Sequence, residues 1–397
     1  MIPEKTVLKL LERKKKFFST DYQKKEKEIK RSIKNSRIVV IGGAGSIGFS
    51  VVKLLISYNP KLIHIIDINE NKLVEVVRYI RSSIGYIEGK IETFSLDVGS
   101  KNFESLVKRN KGYDIWLNFS ALKHVRSERD PFTLMRMIEV NFENTLKMLN
   151  LAKKTKAKKF FSVSSDKACD PVNFLGATKR LMELALSCYS KDMLTCSARF
   201  GNVAFSDGSL LYGALQRINN GQPLVAPIDI KRYFLTHEEA SKLSLIATFC
   251  SKTGEIFIPK IKKSDAQKDF PKIMQNLLQH KGYKMLVSET ENEARMLSNK
   301  KNKKGWPCFL FTTDTAGEKS EEFFKGKKDI LKKNSYAEIE IIDSNNIIKK
   351  SSIINLLNQL SKVKKKKWDE KKIKKLLEIH VKNFNHKNAL KSLEEKM

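Results

Sequence analysis

The glycine-rich stretch Gly42-Gly43-Ala44-Gly45-Ser46-Ile47-Gly48 constrains this chain more than any other segment. It follows a short, wholly apolar run at 38–41 and opens a helical pattern at 47–56. An apolar run of that length ending in glycine reads as a buried parallel strand. Gly42, Gly45 and Gly48 then form a GxxGxxG turn between strand and helix. Glycine there permits a tight turn and a close approach of the backbone to a pyrophosphate. The helix N-terminus adds free N–H groups and the positive end of its dipole. Asp67 ends the second apolar run, nineteen residues after Gly48. An acid at that place accepts hydrogen bonds from an adenosine ribose and repels a 2′-phosphate, so the expected cofactor is NAD rather than NADP. Asp97, after the third apolar run, is placed to meet the adenine edge.

Further apolar runs at 62–66, 91–96, 115–119 and 159–163 alternate with helical segments. That alternation implies βαβ units and the α/β class, with a Rossmann-type doubly wound parallel sheet. Right-handed crossovers bring all the strand C-termini to one edge, where a ligand binds. The chain divides into an N-terminal helical extension (1–36), an NAD-binding Rossmann domain (37–205), a smaller α/β substrate-binding region (206–345) and a basic helical tail (346–397). In the extension, Val7, Leu10, Leu11, Phe17 and Phe18 mark one apolar face, expected to pack on the main domain or on a partner subunit.

Composition narrows the function classes. A 41% hydrophobic content excludes a disordered chain. The net charge is +32, yet only 14 of the 76 basic residues are Arg, the type favoured for base edges and bidentate phosphate contacts. A lysine-biased solvated surface that draws in a small anionic substrate is expected, and no specific nucleic-acid partner. Five cysteines without CxxC spacing point to free thiols in a reducing cytoplasm. Six histidines without HxxxH or HxH pairing leave no metal site to expect. No apolar run approaches the roughly 18–20 residues of a membrane span, and no signal peptide is evident.

A second constellation follows the run at 159–163. Ser165, Asp166 and Lys167 stand at the ligand edge of the sheet, and Lys179 comes twelve residues later on a helical pattern that it shares with Leu175, four positions before it. Adjacent Asp166 and Lys167 are a natural acid and base. A free lysine titrates at about 10.4, so Lys167 needs desolvation or neighbouring cations, such as Lys179, to act as a base.

With these residues in view the chain resembles the extended short-chain dehydrogenase/reductases, and among them the nucleotide-sugar 4,6-dehydratases of capsule and flagellin-glycan synthesis. The resemblance rests on GGAGSIG, on Ser120-Ala121-Leu122-Lys123-His124-Val125, on SSDKA and on GATKR at 176–180. It continues through Ala198-Arg199-Phe200-Gly201-Asn202-Val203 and Lys231-Arg232-Tyr233-Phe234-Leu235-Thr236, with a weaker echo at Gly317-Glu318-Lys319. It implies a lyase that oxidises the sugar C4 hydroxyl, eliminates water across C5 and C6, and returns the hydride to C6. The implied substrate is UDP-N-acetylglucosamine, the implied product a UDP-4-keto-6-deoxy sugar for surface polysaccharide, and the implied assembly a homo-oligomer.

The same resemblance implies residue roles. Gly42, Gly45, Ser46, Ile47, Gly48, Asp67, Asp97, Val98, Ala121 and Lys179 would contact NAD. Asp166, Lys167, Ser165 and Lys179 would carry the chemistry, with Ser165 bonding the C4 oxygen. Lys123, His124, Asn202, Ser209, Leu210 and Arg232 would contact the substrate, Asn202 and Arg232 at the diphosphate. Relatives bracket the uracil at positions matching Gly208-Ser209-Leu210 and Pro223-Leu224-Val225. Arg199 is open between an internal ion pair and a ligand contact. Two departures stand out. Leu175 replaces the tyrosine of the YxxxK pair, as Met does in one branch of these dehydratases, which leaves C4 deprotonation to Asp166 or a water. The usual Arg-Pro before GEK is Thr315-Ala316 here. The competing readings are a UDP-sugar C4 epimerase on the same scaffold, or a catalytically idle NAD- or polyanion-binding protein.

Overall fold

The computed structural model describes residues 2–85, 90–128, 130–299, 305–313, 322–344, 348–365 and 369–386. Two helices, α1 (Glu4–Leu10) and α2 (Ser19–Ile33), precede the alternating core. The core runs β1 (Arg37–Ile41), α3 (Ser46–Ser57), β2 (Leu62–Asp67), α4 (Glu70–Ser83), β3 (Ile91–Ser95), α5 (Lys101–Arg109) and β4 (Ile115–Asn118). It continues through α6 (Pro131–Ile138), α7 (Asn144–Lys154), β5 (Lys159–Ser165), α8 (Phe174–Cys188) and β6 (Leu194–Phe200). The wholly apolar runs read as buried strands are buried: β1 pairs in parallel with β2 on one side and β4 on the other. The chain winds β1, β2, β3 outward, then crosses to β4, β5, β6 on the other side. This reversal makes a crevice at the C-terminal ends of β1 and β4.

After β6 come β7 (Asn202–Val203), α9 (Leu210–Asn219), β8 (Leu224–Pro227), β9 (Lys231–Leu235), α10 (His237–Cys250) and β10 (Glu255–Pro259). Short strands β11 (Gln267–Asp269), β12 (Met285–Ser288), β13 (Trp306–Phe311), β14 (Ile330–Lys332) and β15 (Ile339–Asp343) follow. The nine-stranded sheet is ordered β14-β15-β10-β6-β5-β4-β1-β2-β3. Its β10 joins β6 in parallel, and β15 and β14 complete an antiparallel edge. The stretch 206–345 therefore supplies strands of the large sheet, the small sheet β12-β13-β8, and two of the three strands of β11-β9-β7, the third being β7.

Three large apolar clusters hold these layers, with a small fourth of Ile256, Ile258 and Ile342 between β10 and β15. One lies under α2, α3 and α10, a second under α7, α8 and the two tail helices, and a third joins α1 and α9 to β8 and the helix Phe270–His280. The tail helices, Lys350–Lys365 and Glu370–His380, bury Ile353, Leu356, Leu360, Ile373 and Leu377 and turn most of their lysines outward, while Lys364 pairs with Glu143 at 2.6 Å. The N-terminal extension is tied in by a buried ion pair, Arg13 to Glu239 on α10 (Nη1···Oε2 3.1 Å). Side chains close most helix starts: Asn173 accepts the Gly176 N–H at 2.8 Å for α8, and Ser209 accepts the Tyr212 N–H at 3.2 Å for α9. Helix α3 starts at Gly45 with no side-chain cap and no acid in its first turn. Among the described residues no helix is long and apolar enough to cross a membrane.

Candidate active site

A cavity of about 800 Å³ opens along the C-terminal edge of the sheet and runs under α9 to β8. The turn after β1 forms one end. Gly42 has φ +68°, and its N–H and that of Gly43 donate to the Ile66 carbonyl. A Cβ on Gly48 would lie 2.2 Å from the Gly42 oxygen and 2.9 Å from the Gly43 Cα, so the loop folds this tightly only with glycine at 48. The uncapped start of α3 leaves its first N–H groups directed into the crevice, an arrangement that suits an anionic phosphate group. Gly42, Gly45, Ser46, Ile47, Gly48 and Ala121 all line this end.

Asp67 supports the loop from below: its Oδ2 accepts the Ala44 N–H (3.1 Å) and its Oδ1 the Asn69 N–H (3.0 Å). Asp97 is bound to Arg136 at 2.9 Å and to the Gly99 N–H at 2.8 Å. Burial works against its charge, but those two donors outweigh it and hold the carboxyl below its usual range. Neither acid lies on the cavity wall, and Val98 lines a smaller recess of its own.

The second constellation meets the same cavity. Ser165 ends β5 and caps a single turn, Asp166–Ala168, by accepting the Lys167 N–H at 3.1 Å. The Ser165 hydroxyl donates to Asp166 Oδ1 at 2.7 Å, and Lys167 Nζ lies 3.4 Å from that oxygen. Asp166 is buried while Lys167 remains half-exposed. Helix α8 presses on this turn so closely that a Cβ on Gly176 would stand 2.2 Å from the Lys167 carbonyl oxygen. Leu175 and Lys179, one helical turn apart on α8, both face the cavity, as their spacing requires. Lys179 is buried and donates to the Val163 carbonyl at 3.0 Å. Burial pushes its pKa down to about 8, against the pull of Glu183.

The remaining expected contacts also converge here. Lys123, His124, Asn202, Ser209, Leu210 and Arg232 all line the cavity. Lys123 reaches Ser206 Oγ at 3.4 Å, and desolvation holds its ammonium below the ordinary lysine value despite Asp207 nearby. His124 stands on the wall rather than in the core, and a side chain on Gly208 would meet its Nε2 at 2.7 Å. Arg199 is resolved as internal: 1% exposed, it grips Glu183 through Nε and Nη2 (2.8 and 2.9 Å) and Asp329 and the Phe324 carbonyl through Nη1 (2.6 and 2.7 Å).

Four wall residues escape a reading of local motifs. Glu322, 4% exposed, accepts the Asn202 Nδ2–H at 2.8 Å and the Tyr233 N–H at 2.7 Å, with Arg232 Nε at 3.5 Å. Burial pushes its carboxyl up to about 7, with Asp166 adding to the effect and Lys167 and Arg232 opposing it. Lys72 and Asp207 close the rim with a 2.6 Å ion pair, and Arg217 enters from α9. The GEK echo at 317–319 and Thr315-Ala316 lie outside the described residues. The five cysteines are free, and no cluster of metal-ligating side chains occurs among the described residues.

Known proteins agree with this architecture. A Bacillus thuringiensis protein, Pen, superposes with a TM-score of 0.64 at 22% identity, covering 80% of this chain and 90% of that one. An inverting UDP-N-acetylglucosamine 4,6-dehydratase of Campylobacter jejuni is 30% identical over 233 residues, 56% of this chain and 66% of its own length. A Methanocaldococcus jannaschii protein, named an uncharacterized membrane protein, is 34% identical over 264 residues, 65% of this chain and 76% of its own. The chain spans 39% of the length of two further curated relatives. A sequence profile matches residues 38–344, most of the chain and the whole of the cavity described above, and by that match the chain belongs to the polysaccharide biosynthesis protein family.

Proposed function

We propose that this protein is an NAD-dependent nucleotide-sugar 4,6-dehydratase acting on UDP-N-acetylglucosamine. The observation that carries the reading is the hydrogen-bonded Ser165–Asp166–Lys167 group facing the same cavity as the glycine turn. The glycine turn fits a dinucleotide: it has no room for a side chain at 48, and its helix start is uncapped. Gly42, Gly45, Ser46, Ile47 and Gly48 would hold the pyrophosphate, with Asp67 and Lys179 toward the riboses. When bound, NAD supplies a hydride acceptor that later gives the hydride back. The Campylobacter relative named a UDP-N-acetylglucosamine 4,6-dehydratase supports the substrate class.

The chain's own residues account for the proton traffic. Leu175 carries no ionisable group, so the C4 hydroxyl proton falls to Asp166, whose Oδ1 is already fixed by Ser165 and Lys167. Protonated in that step, Asp166 becomes the acid that hands the proton to the C6 hydroxyl as it leaves as water. Once Asp166 is neutral its ion pair with Lys167 is gone, the half-exposed Lys167 ammonium gives its proton to solvent, and the neutral amine so formed takes the C5 proton. The same amine returns that proton to C5 when C6 is reduced and regains its ammonium proton from solvent, so the ion pair with Asp166 is restored. Burial of Asp166 keeps bulk water from competing for these protons.

Incubation of the full chain with UDP-N-acetylglucosamine and NAD should give a product lighter by one water. A product of unchanged mass would favour epimerisation and overturn the reading. Lys167→Ala should abolish water loss while dinucleotide binding, measured by calorimetry, is retained; undiminished turnover would remove Lys167 as the base.

A further inference from the structure

The cations along the cavity wall are committed to protein partners. Lys72 pairs with Asp207, Lys167 with Asp166, and Arg232 with Glu322, while Lys179 and Lys123 reach the Val163 carbonyl and Ser206. Arg217 differs. It lines the cavity half-buried, and its guanidinium makes no hydrogen bond or ion pair among the described residues. The acid whose charge acts on it, Glu291, is itself bound to Arg295 at 2.8 Å. Desolvation lowers the Arg217 pKa, which marks a guanidinium drawn away from water with nothing yet supplied in exchange.

Its place in the fold says what it faces. Helix α9 begins beside the glycine turn, where the Asp207 N–H donates to Ser46 Oγ at 3.3 Å, and runs away from it. Leu210, Gly213, Ala214 and Arg217 recur at helical spacing and all line the cavity, so they form one strip. At 1.5 Å per residue, Arg217 stands about 10 Å beyond Leu210 along the helix axis. A Cβ on Gly213 would meet nothing within 4 Å, so the strip leaves open space above a flat floor. The facing wall is β8, which is buried and, among the described residues, is bonded in its sheet to β13 on one edge and to no strand on the other. Val225, Pro227 and Phe311 make this end apolar. A flat ring with polar atoms on its rim matches such a slot better than a phosphate does.

Resting on the nucleotide-sugar reading above, we propose that Arg217 is a specificity residue that donates N–H groups to a ring carbonyl of the nucleobase, so that the site selects a pyrimidine-dione over an aminopyrimidine. With the sugar at Asp166 and Lys167 and the diphosphate near Arg232, the base is the part that reaches the far end of the strip. Uracil offers a carbonyl oxygen where cytosine offers an amino group. The guanidinium has donors and no acceptor, so it accepts the first and opposes the second.

The test is calorimetric titration of the full chain, wild type, Arg217→Met and Arg217→Lys, with UDP and with CDP. The wild type should bind UDP at least tenfold more tightly than CDP. Arg217→Met should weaken UDP by about 10- to 100-fold, the range of a hydrogen bond from a charged group, and leave CDP within about twofold. Arg217→Lys, which keeps the charge and loses the planar fork, should recover only part of the difference. Equal weakening of UDP and CDP would assign Arg217 to the phosphates and overturn the proposal, as would unchanged affinities. Failure of the wild type to bind either nucleotide would instead sink the nucleotide-sugar reading, and this inference with it. Circular dichroism and melting of each variant exclude loss of fold as the cause.

Discussion

Arg199→Met is the substitution whose cost the structure sets most narrowly. Arg199 and Glu183 are each 1% exposed and joined by two hydrogen bonds. Removing the arginine leaves Glu183 with Arg180 and Ser164 alone and strips Asp329 and the Phe324 carbonyl of a donor. Deleting one partner of a buried pair costs about 3–5 kcal/mol, because the other charge stays desolvated. Unfolding entropy of roughly 2.1 cal/mol/K per residue gives about 0.8 kcal/mol/K for this chain, so the midpoint should fall by about 4–6 °C in calorimetry. The double variant Arg199→Met/Glu183→Leu should cost less than the sum of the two single changes, since it removes the orphaned charge as well. The pH dependence follows from Glu183. Burial alone would raise its carboxyl, but Arg199, Arg180 and Ser164 hold it at about 2. A depressed folded pKa stabilises the fold above the unfolded value of about 4.3, and that contribution fades as pH falls toward 2. The gap between wild type and Glu183→Gln should therefore close over that acid range. A loss below about 1 kcal/mol for Arg199→Met, or strict additivity in the double variant, would refute this account of the network.

Two further outcomes concern the site. Gly176→Ala should lower kcat by about 100-fold, the order expected when reacting groups shift by an ångström. Its Cβ would strike the Lys167 carbonyl at 2.2 Å and displace the Asp166–Lys167 turn, while NAD affinity, set at the far glycine turn, should change less than twofold. Glu322 is neutral below about pH 7 and ionises above it, beside the Asn202 and Arg232 groups proposed for the diphosphate. The KM for UDP-N-acetylglucosamine should rise above pH 7 by up to about tenfold per pH unit in the wild type and stay flat in Glu322→Gln; superimposable profiles would count against it.

What could be read from the sequence, and what could not, divides by distance along the chain. The glycine turn, the Asp166–Lys167 turn and the Leu175/Lys179 face were legible because each is set within one strand–turn–helix unit, where periodicity and turn chemistry speak directly. Strands β10 and β15 joining the large sheet were not, since their partners β6 and β10 lie roughly 60 and 80 residues before them and short apolar strands carry no address. The tail shows the same limit: it reads as basic and helical, but nothing in its lysine runs says that five apolar residues at helical spacing pin it to the layer of α8. Glu322 is the sharpest case. In sequence it is one acid in a lysine-rich stretch, where an exposed face is the ordinary reading, and the weak GEK echo three residues before it does not single it out. Its character comes from contacts to Asn202, 120 positions earlier, and to Tyr233, 89 positions earlier, which bury it and raise its carboxyl into the physiological range. Arg217 repeats the pattern with the sign reversed, an unremarkable helix cation until α9 turns it across from β8. Motifs thus identify the groups proposed to make and break bonds. The groups proposed to select the ligand, Glu322 and Arg217, owe their character to packing between distant segments, and only the folded chain reveals them.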